Sequence, residues 1–285
     1  MTPEKLARDG AKASLYAGGP PSEGASTATL GSLRFDSEAA GVALLDEAAR
    51  RARADGRGAL LAPLDGDTWH AYRAVTWSDG SVPFLLEPTS GPHDVAALQA
   101  AGFEPVAHYL STIAALDDAI GAPAPRLDGV TVEPWDGADA DALVDDLFAL
   151  STHAFANNPF FKPIDRKAFA ALYRPLVPVL DPRHVLFARD DDGALLGYLF
   201  ATPDFMAPDT DRPIILKTYA ATRRGLGFLL ADTFHRRARD LGFSRVIHAL
   251  MHENNASRER SRLHGARVMR RYALFAKRLD GCFAP

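Results

Sequence analysis

Two stretches of this chain carry nearly the same seven residues. Arg50–Gly56 reads RRARADG and Arg236–Gly242 reads RRARDLG. Each closes an apolar helix pattern, through Leu44, Leu45 and Ala48 in the first case and Phe228, Leu229, Leu230 and Phe234 in the second. Both glycines read as helix stops. A strand-like run follows each, Gly58–Ala62 and Phe243–Met251. A second match follows in the same order: GFEPVAHY at Gly102–Tyr109 and GARVMRRY at Gly265–Tyr272 both space Gly and Tyr by seven. Arginine-rich helices resemble one another by chance, but two matches in one order favour a duplicated α/β unit.

The 285 residues suffice for two such units. Strand patterns are expected at 12–17, 28–35, 58–63 and 103–112, and again at 129–134, 184–189, 195–202, 213–220, 243–251 and 266–277. Helical patterns are expected at 40–55 and 93–101, then at 138–155, 165–174, 225–241 and 256–264. Leu116–Asp128, LDDAIGAPAPRLD, has neither periodicity and reads as a linker. The expected units are therefore 1–115 and 129–285, with the linker at 116–128. The strand–helix–strand crossover near 213–251 should be right-handed.

With 47% hydrophobic and 24% charged residues, the chain has ample apolar surface to bury and does not read as disordered. No apolar run approaches the roughly 20 residues that cross a bilayer, so no membrane partner is expected. MTPEKLARDG lacks the apolar core of a secretory signal. The single cysteine, Cys282, can neither staple a fold nor build a thiolate metal site. The histidines form no HxxxH or HExxH pattern, so no metal is expected. Together these features point to a reducing cytoplasm.

Charge is unevenly spread. Residues 211–285 hold 16 Lys+Arg and 6 Asp+Glu, a net of +10, whereas residues 1–210 hold 16 and 30, a net of −14. A basic final quarter points to an anionic partner, either nucleic acid or a phosphorylated cofactor, unless it is a solvated arginine-rich face. The acidic first part suggests a cationic acceptor.

Chemistry concentrates in Ile214–Leu230, IILKTYAATRRGLGFLL, where an apolar strand enters an Arg-Gly loop and then a helix. Gly225 and Gly227 let backbone approach a ligand closely. The helix start aims open N–H groups and a positive dipole end into the loop, and Arg223 and Arg224 add two charges. Such a loop suits a pyrophosphate.

Thr222–Gly227 resembles the Q/R-x-x-G-x-G/A loop of the GCN5-related N-acetyltransferase (GNAT) superfamily. Asn254, Ser257 and Gly265 keep that family's Asn, small residue and Gly at offsets 0, +3 and +11. The resemblance is good over 129–280 and weaker over 28–112, giving a tandem layout similar to mycothiol synthases. It implies an α/β (α+β) fold of two GNAT-like domains. Each would have a mixed, mostly antiparallel sheet flanked by helices, with a splayed parallel strand pair in the C-terminal domain. It also implies acetyl-CoA as cofactor and an N-acyltransferase acting on a small-molecule or peptide amine by direct attack on the thioester.

By the same resemblance, backbone amides of Arg223, Arg224, Gly225, Leu226, Gly227 and Phe228 would cradle the pyrophosphate. Lys217, Thr218 and Tyr219 would pair through their backbone with the pantetheine arm, and Asn254 would reach the pantetheine or acetyl end unless it serves as a helix cap. Ser257 shares this cofactor-binding assignment. The family's general-acid tyrosine falls at Ser261, a poor acid, so Tyr272, His264 or water would substitute. A thiol leaving group, with a pKa near 8.5, needs little help. Among the candidate bases His248, His252 and Glu253, Glu253 is favoured because it sits at the C-terminal end of a strand. Phe160 and Phe161, in NNPFFKP, either touch the acceptor or plug the core between the units. Thr68–Arg73, TWHAYR, reads as an amphipathic helix packed on the second unit or as a wall of the acceptor pocket. The first unit's counterpart loop, Glu38–Ala43, lacks a basic residue, and Asp36 and Glu38 would repel a phosphate. The other readings are a non-catalytic acyl-CoA-binding protein and, behind it, a nucleic-acid binder.

Overall fold

The computed structural model describes residues 2–124, 126–254 and 265–279. The first half comprises β1 (Glu4–Arg8), β2 (Ala11–Tyr16), β3 (Thr27–Phe35), α1 (Glu38–Ala54), β4 (Ala59–Ala62), β5 (Ala74–Ser78), α2 (Asp94–Ala100) and β6 (Glu104–Ala115). The second comprises α3 (Leu116–Ala119), β7 (Val130–Pro134), α4 (Ala140–Phe155), α5 (Arg166–Tyr173), β8 (Val185–Asp190), β9 (Leu195–Pro203), β10 (Ile214–Ala221), α6 (Leu226–Asp240), β11 (Arg245–His252) and β12 (Arg267–Arg278).

Elements expected from periodicity lie within about three residues of these bounds, except the helix at 256–264, which falls outside the described residues. Three elements carry too little pattern to be read. β1 buries only Leu6, β5 is mostly exposed, and α3 is a single turn inside the expected linker.

The repeated heptapeptide ends α1 and α6 in the same way. The amide of Arg57 donates to the Ala52 carbonyl and that of Phe243 to Ala238. Gly56 and Gly242 hold φ of 70° and 91°. These are paired Schellman-type caps, which glycine makes without strain. Both helices bury one stripe. In α6 it is Leu226, Leu230, Phe234 and Ala238, each four residues from the last. Gly197 lets α6 lie close, because a Cβ there would sit 2.9 Å from the Ala220 carbonyl oxygen and 3.1 Å from Leu230.

All described strands join one sheet in the order β1-β2-β3-β4-β12-β6-β11-β10-β9-β8-β7, with β5 also on β12. It is antiparallel apart from two pairs, β3–β4 and β10–β11. The halves exchange strands. β6 leaves the first half and pairs with β11, while β12 returns from the second half and pairs with β4 and β5. The cores follow: Phe275 and Leu279 pack with Leu30, Leu44 and Leu98, and Ala114 and Leu116 pack with Ile214, Leu230 and Phe234. Chain and sheet therefore divide at different places, and 116–128 does not mark where the sheet changes hands.

The exchange also accounts for much of the charge imbalance. Apart from Arg271, the cations of β12 meet acids of the first half: Arg270 and Arg267 meet Asp79, Arg270 meets Glu87, Lys277 meets Asp46 and Arg278 meets Glu23. Part of the basic excess that suggested an anionic partner is thus matched inside the molecule. Among the described residues no helix is long and apolar enough to cross a membrane.

Candidate functional site

β10 and β11 are in parallel register at only three pairs, Ile214↔Val246, Ile215↔Ile247 and Leu216↔His248. Both strands then bulge. β10 shifts against β9 between Leu216 and Thr218, and β11 shifts against β6 between His248 and Met251. The strands part beyond Leu216, leaving the β10 edge that faces β11 without a strand partner. An open edge offers amides and carbonyls to an extended ligand. The β11 bulge is held from both sides. Leu250, at φ 58°, donates its amide to Ser111 Oγ and accepts at its carbonyl from Arg73 Nη1, at 3.0 and 3.1 Å.

Past the end of β10 the chain turns through Arg223 and Arg224 into α6. Gly225 caps that helix at φ 86°, and no side chain completes the cap. The amides of Leu226 and Phe228 are already spent on the carbonyls of Arg223 and Gly225. The expected cradle of six amides is therefore smaller. Among the described residues, the amides of Arg223, Arg224, Gly225 and Gly227 have no acceptor, and both arginine side chains are exposed without an ion partner. Open amides, a helix start and two cations together suit a pyrophosphate.

The gap between the strands opens into a cleft of about 1280 Å³ that runs between the halves. Gly225, Gly227, Thr218, Tyr219 and Asn254 face it at the loop end. The first half supplies the opposite wall through residues 68–73 and Glu87. Thr68–Arg73 is a loop and not the expected helix, yet it does pack on the second half. Trp69 lies edge-on to Phe161 and Phe169, with ring centroids 5.9 and 5.5 Å away, and its indole N–H donates to the Lys162 carbonyl. Phe161 faces the cleft, whereas Phe160 packs beside Leu61, Leu64 and Tyr109. Phe160 thus takes the packing role considered for the pair, while Phe161 borders the cleft.

Lys217 is the bulged residue of β10. Its half-buried side chain turns into the cleft, where Nζ donates to the Leu86 carbonyl at 2.8 Å. Burial and the charge of Arg73 lower its pKa to about 7, against the opposing pull of Glu87. His252 stands edge-on to Tyr109 at 5.1 Å. Burial and Arg73 also push its pKa down, and its Nδ1 accepts from the Asn254 amide. His248 is buried with its Nε2 3.0 Å from that of His235, so these two rings serve each other.

The other expected catalytic residues lie elsewhere. Glu253 turns to Arg271, 3.1 Å away. Tyr272 is fully buried beneath the cleft and donates to Glu87 at 2.7 Å. Burial and that carboxylate push its phenol strongly upward, so its proton is committed to the core. Ser257, Ser261 and His264 lie outside the described residues. What the motifs did not reveal is the cluster of Lys217, Arg73 and Glu87. The one signal for Lys217 is a lone charge in an otherwise apolar strand run.

No protein-family model matches the sequence, and no curated protein is significantly similar to it. Solved structures do share its fold. A GCN5-related N-acetyltransferase from Sphaerobacter thermophilus aligns over 97% of this chain and 79% of its own, with a TM-score of 0.56 and 14% identity. A tandem GNAT protein from the clavulanic acid biosynthesis pathway aligns over 96% and 80%, with a TM-score of 0.55 and 18% identity. A GCN5-related N-acetyltransferase from Anabaena variabilis aligns over 95% and 60%, at 0.57 and 10%.

Proposed function

Starting from a chain with the tandem fold of the GCN5-related N-acetyltransferases, we propose that it transfers an acetyl group from acetyl-CoA to an amine held in the cleft. The observation that carries this reading is the parallel pair β10–β11, which parts after Leu216 beside a helix start whose amides stand open. The residues present fit the cofactor. Arg223, Arg224 and the amides around Gly225 would hold its pyrophosphate, and the unpaired edge of β10 would hold its pantetheine arm. Acetyl-CoA supplies an activated thioester.

The acceptor must lose a proton to attack, and Lys217 is the group placed to take it. A neutral Lys217 can donate one N–H to Leu86 and present its lone pair to an ammonium. Burial and Arg73 keep that neutral form available near pH 7. Glu253 is tied to Arg271 and is poorly placed for this task. In His252 the ring nitrogen that could accept a proton is already engaged. The thiol leaves without a strong acid, because its pKa is near 8.5.

Calorimetric titration of acetyl-CoA tests the reading. One site per chain is expected, followed by thiol release when a panel of primary amines is added. No binding at millimolar acetyl-CoA would remove the proposal.

A further inference from the structure

Among the described residues two arginines are buried, with opposite surroundings. Arg270 is 2% exposed and meets two carboxylates, Asp79 at 3.0 Å and Glu87 at 3.0 Å. Arg73 is 5% exposed, and among the described residues no carboxylate pairs with it. Its guanidinium carbon lies 3.8 Å from the ring centre of Tyr72 and 3.9 Å from that of Tyr109. It donates to the Leu250 carbonyl, while its Nε is buried with no partner among the described residues. A buried cation without a counter-ion is costly. Two π faces and one carbonyl offset that cost only in part.

Arg73 is also held in place. Its φ is 70°, a conformation that side-chain-bearing residues rarely adopt, and its amide donates to the Pro63 carbonyl at 2.9 Å. It faces the cleft, as does Lys217, the proposed proton acceptor. With Nε sealed from the cleft, the Nη edge of this fixed planar guanidinium is the part left to meet a two-oxygen anion.

We propose that Arg73 is the receptor for a carboxylate carried by the acceptor, so that the acceptor is an amino acid or a related amine bearing an acid group. This rests on the acetyltransferase reading and names its substrate class. Arg73 comes from the first half and lines the same cleft as Lys217. A zwitterionic acceptor also balances the site. Its carboxylate neutralises Arg73, and its ammonium passes one proton to Lys217; the freed lone pair attacks the thioester carbon, the C–S bond breaks, and the second amine proton passes to the departing thiolate, giving the amide and the free thiol of CoA. The acidic first half suggested a cationic acceptor from net charge alone, but the cleft itself carries Arg73, Lys217 and Arg223 beside Glu87 and Asp232.

Product analogues test the proposal without requiring turnover. N-acetylglycine, N-acetyl-L-leucine and N-acetyl-L-phenylalanine, each beside its carboxamide, are titrated into the wild-type protein with and without CoA. At least one acid is expected to bind about 10- to 100-fold tighter than its amide. Arg73→Met should erase that preference, and Arg73→Lys should keep part of it. Should Arg73→Met fail to fold, the wild-type contrast and Arg73→Lys decide. Acids no better than amides, or a preference that survives in Arg73→Met, overturns the proposal. Tighter binding of succinyl-CoA than of acetyl-CoA, lost in Arg73→Met, would assign the carboxylate to the acyl group and overturn the acceptor assignment. If CoA does not bind at all, the acetyltransferase reading fails, while the CoA-free titrations still decide what Arg73 recognises.

Discussion

The units β3–α1–β4 and β10–α6–β11 begin alike and end differently. Each has a parallel pair with three registered partners, Thr27↔Ala59 to Thr29↔Leu61 in one and Ile214↔Val246 to Leu216↔His248 in the other. In the first unit the pairing then continues, because the amide of Leu64 donates to the Leu30 carbonyl at 2.8 Å. The next residues fold back over β3. Gly66 donates to Thr29 Oγ1, and Asp65 lies so near Gly31 that a Cβ there would sit 2.0 Å from its Oδ1. The register puts Leu30, fully buried, where the second unit has Lys217. Ser37 accepts from the Ala40 amide and caps α1, where the second unit presents Arg223, Arg224 and Gly225. One copy of the duplicated unit has sealed its gap with its own chain, and the other keeps it open. A few positions separate a closed gap from an open one on the same backbone plan.

The contrast can be broken most severely at Lys217. Lys217→Met should lower the turnover number by about 10²- to 10⁴-fold, the usual range for loss of a positioned base. In the wild type, activity should rise with pH through about 7 as Lys217 sheds its proton. That limb should vanish from the variant's pH–rate profile.

Gly225→Glu should weaken acetyl-CoA on the order of 100-fold by placing a like charge beside the pyrophosphate. Glu38→Arg in the sealed unit should leave calorimetry at one site per chain. A second site would show that the first gap opens in solution.

Gly31→Ala tests the seal. The new methyl must displace Asp65, whose Cα would also lie 2.9 Å away. A loss of about 1–3 kcal/mol in denaturant unfolding is expected, with acetyl-CoA affinity unchanged. The smallest effect belongs to Ser37→Ala, about 1 kcal/mol for a lost cap, again without change in cofactor binding.

Local features were legible in the sequence because local patterns make them. The paired helix stops at Gly56 and Gly242 and the loop at Gly225 depend on nearest neighbours. The fate of Tyr272 was not legible, because β12 crosses into the other half and buries that ring against Glu87. The charge excess misled for the same reason, since Arg270 finds its acids at Asp79 and Glu87, far away in the chain. Glu253 looked poised at a strand end, but Arg271 on β12, one strand beyond β6, claims it. Arg73 sits in a hexapeptide that reads equally as a helix, and only the tertiary fold shows it buried beside two tyrosines.

The strand exchange has a consequence for how the chain is made. Ala59 pairs with Arg278 and Ala62 with Phe275. On the ribosome, β4 is therefore synthesised long before the strand that covers it. Until Arg267–Arg278 emerges, the apolar run Ala59–Ala62 presents a bare edge to its surroundings, the kind of surface that recruits chaperones or aggregates. Folding must close one of the longest loops in the chain before the first half is complete, so slow, late acquisition of structure is built into the topology there.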